Sequence, residues 1–273
     1  MTTYEAELAQ AAEGILHTYH TQSDILGASK IDSYRDCPLR YRLQYVDKLD
    51  VPSKPAMVVG SCVHKALERA HERRWRAGDA AEAAQYLRDL WARVKDSTTQ
   101  DGRSAAITRV ETLAAQGIPW YLNWRWGTGQ FDIATEERWR ATVPGTGIEL
   151  QGTWDRLYRA GGQTVVSDVK SGKALPRDMD TDLQLTLYSW AYRQTFPGKT
   201  EGALEIVGIG VRKVLRTTRT DEQNADTIEA VVIPVAEGIR RGDFPPNTAC
   251  RFGCASCNYN IACPALGRGR RAA

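Results

Sequence analysis

No apolar run in these 273 residues approaches the roughly 20 that a bilayer-spanning helix needs, so no membrane span is expected. The opening stretch, MTTYEAELAQAAEGIL, has neither the basic start nor the apolar core of a secretion signal, and a cytoplasmic location is expected. An excess of one charge is missing too. Lys plus Arg number 36 against 33 Asp plus Glu, a net charge of +3, so no whole-molecule field draws in a polyanion. There is no internal repeat, which excludes solenoids and propellers. Nor is there a low-complexity linker to divide the chain. The remaining composition, 42% hydrophobic and 25% charged, is that of a globular protein.

Cysteine is the first feature present in excess. Four of the six (Cys250, Cys254, Cys257 and Cys263) fall within fourteen residues. In a cytosolic chain that density points to metal rather than to disulfides. As a local set these four suit zinc as well as iron–sulfur chemistry. Basic clusters occur at Arg69–Arg76, Arg212–Arg219 and Arg268–Arg271. Each reads as a solvated face or a tail; together they lend some support to a polyanion partner.

The stretch that organises the chain is Gly152 to Lys170, GTWDRLYRAGGQTVVSDVK. Trp154, Leu157 and Val165-Val166 are strand formers, and Ala160-Gly161-Gly162 is a turn signal, so a β-hairpin is expected. Asp155 lies on its first strand, with Asp168 and Lys170 near the end of the second. Residues 168 and 170 share a face because strand side chains repeat with period 2. Two acids and a lysine at one end of a sheet suit a hard divalent cation such as Mg²⁺. With such an ion the set meets the needs of phosphodiester hydrolysis: a nucleophile at neutral pH, and positive charge where negative charge develops. Alone, Asp-x-Lys on a strand is more often a surface ion pair.

Around this hairpin the pattern predicts helices over 3–20, from Ser29 with a capping-box-like Ser29/Asp32 start, from Gly60-Ser61, and through much of 80–124. Cys37-Pro38 should break the second of these, and residues 51–55 form a loop. His64, Leu67, Glu68 and His71 share one face of the third. Strands are expected at 131–143, 147–158, 163–170 and 204–214, and further helices at 180–195 and 222–241. Trp120, Trp124 and Trp126 read either as core or as a base-stacking platform.

The motifs in order are Cys37; Gly60-Ser-x-x-His64; Gly152-x-x-Asp155; Asp168-x-Lys170-x-Gly172; Gln184-x-x-x-Tyr188; and Cys254-x₂-Cys257-x₅-Cys263. In number, order and spacing they resemble the RecB-like branch of the PD-(D/E)XK nucleases. The likeness is to members with a four-cysteine iron–sulfur cluster, such as CRISPR-associated exonucleases and the AddB nuclease domain. The resemblance spans residues 29 to 264. It implies an α/β, restriction-endonuclease-like mixed sheet flanked by helices, with a helical lobe and a C-terminal cysteine-rich cluster segment. A single nuclease domain is expected, made of N-terminal helices (1–60), helical lobe (61–130), catalytic core (131–220) and C-terminal helix with cluster-binding tail (221–273).

Residue by residue, the resemblance implies that His64, Asp155, Asp168 and the Val169 carbonyl hold Mg²⁺ or Mn²⁺. Lys170 is the catalytic lysine, Gln184 contacts that lysine or the DNA backbone, and Tyr188 faces DNA. Cys37, Cys254, Cys257 and Cys263 hold a 4Fe-4S cluster, with the local set that includes Cys250 as the rival. Glu68, one turn after His64, is a further candidate acid on helix geometry alone. Ser167 stands where the family has an apolar residue or proline. A cluster tying residue 37 to residue 254 would restrain the unfolded chain by about 5 kcal/mol at most.

The activity implied is metal-dependent exonucleolytic cleavage of DNA, most naturally at single-stranded ends, in recombination, repair or CRISPR adaptation. A helicase, recombinase or integrase partner and a homo-oligomer are compatible with it, as is host cytoplasm for a phage-borne chain. Two rivals are a catalytically silent DNA-binding or scaffold subunit, against which the complete Asp155, Asp168 and Lys170 set counts, and a zinc-ribbon interaction protein.

Overall fold

The computed structural model describes residues 2–17, 25–127, 129–251 and 253–266. The helices that open the chain are α1 (Thr3–His17), α2 (Ala28–Asp36), α3 (Pro38–Tyr41), α4 (Pro55–Glu72), α5 (Ala80–Val94), α6 (Arg103–Thr112) and α7 (Ile118–Gly127). There follow β1 (Phe131–Val143), β2 (Ile148–Ala160), β3 (Gln163–Lys170), α8 (Leu183–Thr195), β4 (Ala203–Gly208), β5 (Lys213–Thr217), α9 (Asp221–Thr227) and α10 (Ile233–Arg241).

The five strands form one mixed sheet in the order β1-β2-β3-β4-β5. β2 and β3 are the expected hairpin, pairing antiparallel from Ala160↔Gln163 to Arg156↔Ser167. The turn at Gly161-Gly162 has φ of 58° and 81°, a left-handed pair that glycine adopts without penalty. β3 and β4 run parallel, with Asp168 opposite Ile206. A parallel neighbour needs a crossover, and α8 supplies it. Its N-cap is Asp182, whose carboxylate accepts from the Leu185 N–H at 2.9 Å. β4 and β5 close the sheet antiparallel.

The chain divides into two compact units. The first comprises Met1–Thr21, Ser53–Trp139 and Thr153–Thr220. Its core joins α1, α4, α5, α6 and α7 to β3 and β4 through Ile15, Val59, Val63, Leu87, Leu90, Val110, Leu122, Val169 and Val207, all buried. Each such side chain contributes about 1.5–3 kcal/mol on leaving water. The second comprises Gln22–Pro52, Arg140–Gly152 and Asp221–Ala273. There Leu39, Leu43 and Tyr259 are buried, with Cys37, Cys257 and Cys263 packed against them. Gly238 is required in this unit because a Cβ would sit 2.2 Å from the Tyr34 hydroxyl.

Several expectations shift. Residues 18–20, read as the end of the first helix, lie outside the described residues, as does Arg268–Arg271. Ser29 does not cap α2; the N-cap is Gly27, where a Cβ would meet the Gln151 carbonyl at 2.8 Å. Cys37 is extended (φ −157°) and breaks the helix, and Pro38 then starts α3. α4 begins at Pro55, five residues before Gly60, for the same reason: proline suits the first turn of a helix. The strand read over 204–214 is a hairpin, β4 and β5, turned through Arg212 at φ 54°. Pro234 is accommodated by a wide turn at Ile228–Val232 that restarts the helix as α10.

Candidate active site

Five elements of the first unit deliver the site, β1 among them with Glu136. α4 presents His64, β2 presents Asp155, β3 presents Asp168 and Lys170 on one face, and α8 presents Gln184 and Tyr188. His64 Nδ1 lies 3.5 Å from Asp155 Oδ1 and 3.5 Å from Glu136 Oε1. Asp155 Oδ2 accepts the Val169 N–H at 2.6 Å, which fixes the carboxylate beside that peptide. Lys170 Nζ lies 2.9 Å from Asp168 Oδ2 and donates to Gln184 Oε1 at 2.8 Å. Gln184 Nε2 donates to the Tyr188 hydroxyl at 2.9 Å, and that hydroxyl donates to the Thr153 carbonyl. Tyr188 is only 3% exposed, so it braces Gln184 from within; it does not present a ring to solvent. Glu68 is engaged by Lys65 and stands outside the group around His64.

Sequence reasoning missed Glu136. It sits in mid-strand on β1 with φ 49°, a left-handed residue that is not glycine. Such a backbone costs on the order of 1–3 kcal/mol and persists where its surroundings impose it. The only hint in the chain is a pair of adjacent acids, Glu136-Glu137, inside a strand pattern, and period-2 reasoning does not say which one turns inward.

Acids dominate this corner. Burial pushes Asp155 up, opposed by the His64 charge and raised further by Glu136. Burial raises Asp168 to about 6, partly offset by Lys170 and increased by Asp155. His64 is raised too, against its own burial: burial lowers it, but the carboxylates of Asp155 and Glu136 win and lift it to about 9. Asp168 Oδ2 is buried with no hydrogen-bond donor of good geometry among the described residues. One ligand atom each from His64, Glu136 and Asp155 lies within 4.8 Å of the others. An imidazole and clustered carboxylates with a free buried lone pair form a donor set that fits Mg²⁺ or Mn²⁺.

A second seam lies farther along the same helix and strand. His71 Nδ1 is 3.2 Å from Asp132 Oδ2, and Nε2 is 2.8 Å from the Tyr121 hydroxyl. Arg125 and Arg156 donate to the same Asp132 carboxylate. Trp120 stacks on Trp124, both packed against the core, and Trp126 donates to the Trp75 carbonyl at 2.7 Å.

In the second unit Cys37 Sγ accepts the Asn247 N–H at 3.4 Å. Burial and the thiols of Cys250, Cys263 and Cys37 raise Cys254. Cys257 is likewise raised by burial and by Cys37 and Cys263. The fold therefore brings residue 37 to the tail cysteines, and Cys250 with them.

A mixed sheet with helices around it and an acid–acid–lysine set on its strands defines a nuclease of the restriction-endonuclease-like α/β class. A family model of the PD-(D/E)XK nuclease superfamily matches residues 26–264, and the chain belongs to that superfamily. Its members cleave nucleic acid with divalent metals, and DNA is the substrate class. Among solved structures, one from Eubacterium rectale, of a protein provisionally named an exonuclease, matches with a TM-score of 0.52 and 14% identity, over 100% of this chain and 94% of that one. At that identity the likeness shows the fold. SSO0001 matches with a TM-score of 0.44 and 14% identity, over 97% and 98% of the two chains. No curated protein matches the sequence. Among the described residues no helix is long and apolar enough to cross a membrane.

Proposed function

We propose that the protein is a RecB-like, divalent-metal-dependent deoxyribonuclease that digests DNA from single-stranded ends, with a structural 4Fe-4S cluster. The observation that carries the reading is the convergence of His64, Glu136 and Asp155 within 4.8 Å, beside the Asp168–Lys170 pair. His64, Glu136, Asp155 and Asp168 would hold the ion, with the Val169 carbonyl as a further oxygen. Bound there, it supplies a nucleophile at neutral pH and neutralises charge on the phosphate.

The chain's own groups do the rest. Asp155 is locked by the Val169 N–H, so its free oxygen keeps one direction. Lys170, steadied by Gln184, orients the attacking water and stabilises the charge of the pentavalent state. Tyr188 holds Gln184 in turn. Cys37, Cys254, Cys257 and Cys263 would bind the cluster, which needs no redox step for hydrolysis and so acts as a staple. An enzyme of this kind suits recombination, repair or CRISPR adaptation.

The test is digestion of DNA labelled at each strand end in turn, single- and double-stranded, with Mg²⁺ or Mn²⁺, using protein purified without air. Expected are a brown colour and stepwise loss of the label from one end. A colourless protein carrying one zinc would overturn the cluster, and Asp168→Ala digesting as fast as the parent would overturn the site.

A further inference from the structure

The arginines of the basic clusters are largely spent inside the protein. Arg69 and Arg73 pair with Glu7, Arg216 with Glu205, and Arg219 donates to Thr186 and to the Met179 carbonyl. Other buried arginines have acids beside them: Arg193 meets Glu201, and Arg219, though held by neutral groups, has Asp180 and Asp182 close enough to offset part of its burial. Arg109 on α6 does not. Its Nη2 donates to Ser171 Oγ at 2.8 Å and its Nη1 to the Ala56 carbonyl at 3.3 Å, both neutral groups. Its Nε is buried with no partner among the described residues, and none of their carboxylates lies within ion-pair distance.

We propose that Arg109 is the anchor for a backbone phosphate of the DNA strand, one or two nucleotides from the scissile linkage. The inference rests on the nuclease reading above. A half-buried cation with neutral partners has lost hydration without gaining a counter-charge. Burial accordingly pulls its proton affinity down with no acid to restore it. A phosphate supplies what is missing, and the guanidinium fork matches its oxygens.

Position supports the assignment. Ser171, which holds the guanidinium, directly follows Lys170. A Cβ on Gly60 would lie 3.6 Å from Ser171 Oγ, and Gly60 precedes His64 by one helical turn, about 6 Å. That is roughly the length of one or two nucleotide steps at about 3.4 Å each along a B-form strand. Met57 and Ile107, 46% and 49% exposed, put apolar surface within two residues of Ala56 and Arg109, where a sugar or base can lie.

The test uses the full-length Asp168→Asn protein, which keeps the substrate whole, and a fluorescein-labelled single-stranded oligonucleotide read by anisotropy. Adding Arg109→Gln should weaken binding about tenfold and flatten the log–log salt dependence by about 0.7, the share of one phosphate on a single strand. A scan with one neutral methylphosphonate linkage at a time should find a sensitive linkage beside the scissile one in the Arg109 protein, and no added loss there with Arg109→Gln. Equal affinity and slope in both proteins overturns the anchor. Should Arg109→Gln melt early, the scan on Arg109 protein still decides, since no sensitive linkage beyond the scissile one refutes the proposal. A parent that cuts DNA while Arg109→Gln binds unchanged sinks the anchor alone. A parent that neither binds nor cuts sinks the nuclease reading with it.

Discussion

Acid should open the seam between α4 and β1 through a single imidazole, His71. The ring is 8% exposed and faces Asp132 with Nδ1 and the Tyr121 hydroxyl with Nε2. Burial lowers its pKa from 6.5 to about 4; Arg125 and Arg156 push in the same direction, while Asp132 resists. A histidine depressed in the folded state binds its proton more readily when unfolded. Its share of stability is therefore complete above pH 6.5 and is lost as pH falls from there towards 4. At about 1.36 kcal/mol per pH unit the loss at pH 5 is about 2 kcal/mol, and the whole effect about 3 kcal/mol. For a chain of this size 2 kcal/mol is roughly 4–8 °C in Tm. Asp132 is also desolvated, yet hydrogen bonds from His71 and Arg125 and the Arg156 charge hold it well below the usual carboxylate range, so it titrates below this window.

The assay is thermal unfolding of metal-free parent and His71→Gln at pH 7.5, 6 and 5. Glutamine can still donate to Asp132 and accept from Tyr121. His64 and Asp168 are raised in the folded state, so they favour folding as pH falls and mask part of the parent's slope. The difference between the two proteins isolates residue 71. The parent should lose about 2 kcal/mol relative to the variant between pH 7.5 and 5. Parallel profiles would refute the argument. A functional readout goes with it, because His71 shares α4 with His64 and Asp132 shares β1 with Glu136: the parent's Mn²⁺ affinity should fall more steeply below pH 6 than that of His71→Gln.

Asp168→Asn should abolish digestion without lowering the metal-free Tm at pH 8. The acid is raised from 3.8 to about 6, so its favourable share exists below pH 3.8 and is gone above 6; replacing it returns up to about 3 kcal/mol, less what Lys170 loses with its partner. A clear fall in that Tm by scanning calorimetry counts against the electrostatic account. Glu136→Gln should weaken Mn²⁺ binding on the order of 10- to 100-fold in titration calorimetry, and an unchanged affinity removes Glu136 from the donor set. Cys37→Ser should bleach the visible absorption and lower Tm; if instead Cys250→Ser does so and Cys37→Ser does not, the local cysteine set is the ligand.

The hairpin around Asp155 and Asp168 could be read from the chain because two glycines and a period-2 pattern state it locally. His64 came from the motif resemblance; helical spacing alone put it on one face with Glu68 and His71, which the fold sends elsewhere. Glu136 was not readable, because its inward turn depends on a backbone conformation that glutamate does not favour and that only packing imposes. The start of α2 went astray for a related reason: Ser29 is a better intrinsic cap than Gly27, but the Gln151 carbonyl leaves room only for glycine. The β4–β5 hairpin was hidden by continuous strand propensity across Arg212, a residue with no turn signature. Tyr188 shows the same limit for side chains. Spacing put it beside Gln184, whereas its burial goes with a hydroxyl that donates to the Thr153 carbonyl on β2.

The site also shows how an unliganded protein advertises what it binds. Most of its buried charges are matched: Arg193 by Glu201, Arg156 by Asp132. Two departures from the pattern lie together at the end of β3. Asp168 keeps a buried oxygen without a proper donor among crowded acids, and Arg109 keeps a buried nitrogen with no acid at all. The first is met by Lys170 at 2.9 Å but keeps a lone pair without a well-placed donor, and the second has no counter-charge, yet the two do not pair with one another. Any gain from pairing them would remove the groups that a cation and a phosphate need. Relief of these unmatched groups should then appear as tighter ligand binding than a neutral site would give. A ligand at 100 times its Kd adds about 2.7 kcal/mol by mass action, so Mn²⁺ titrated to that point should raise the Tm of parent protein by several degrees. The rise should shrink in Asp168→Asn, whose metal-free form no longer carries the unmatched acid. Equal shifts in the two proteins would mean that the ion binds away from Asp168.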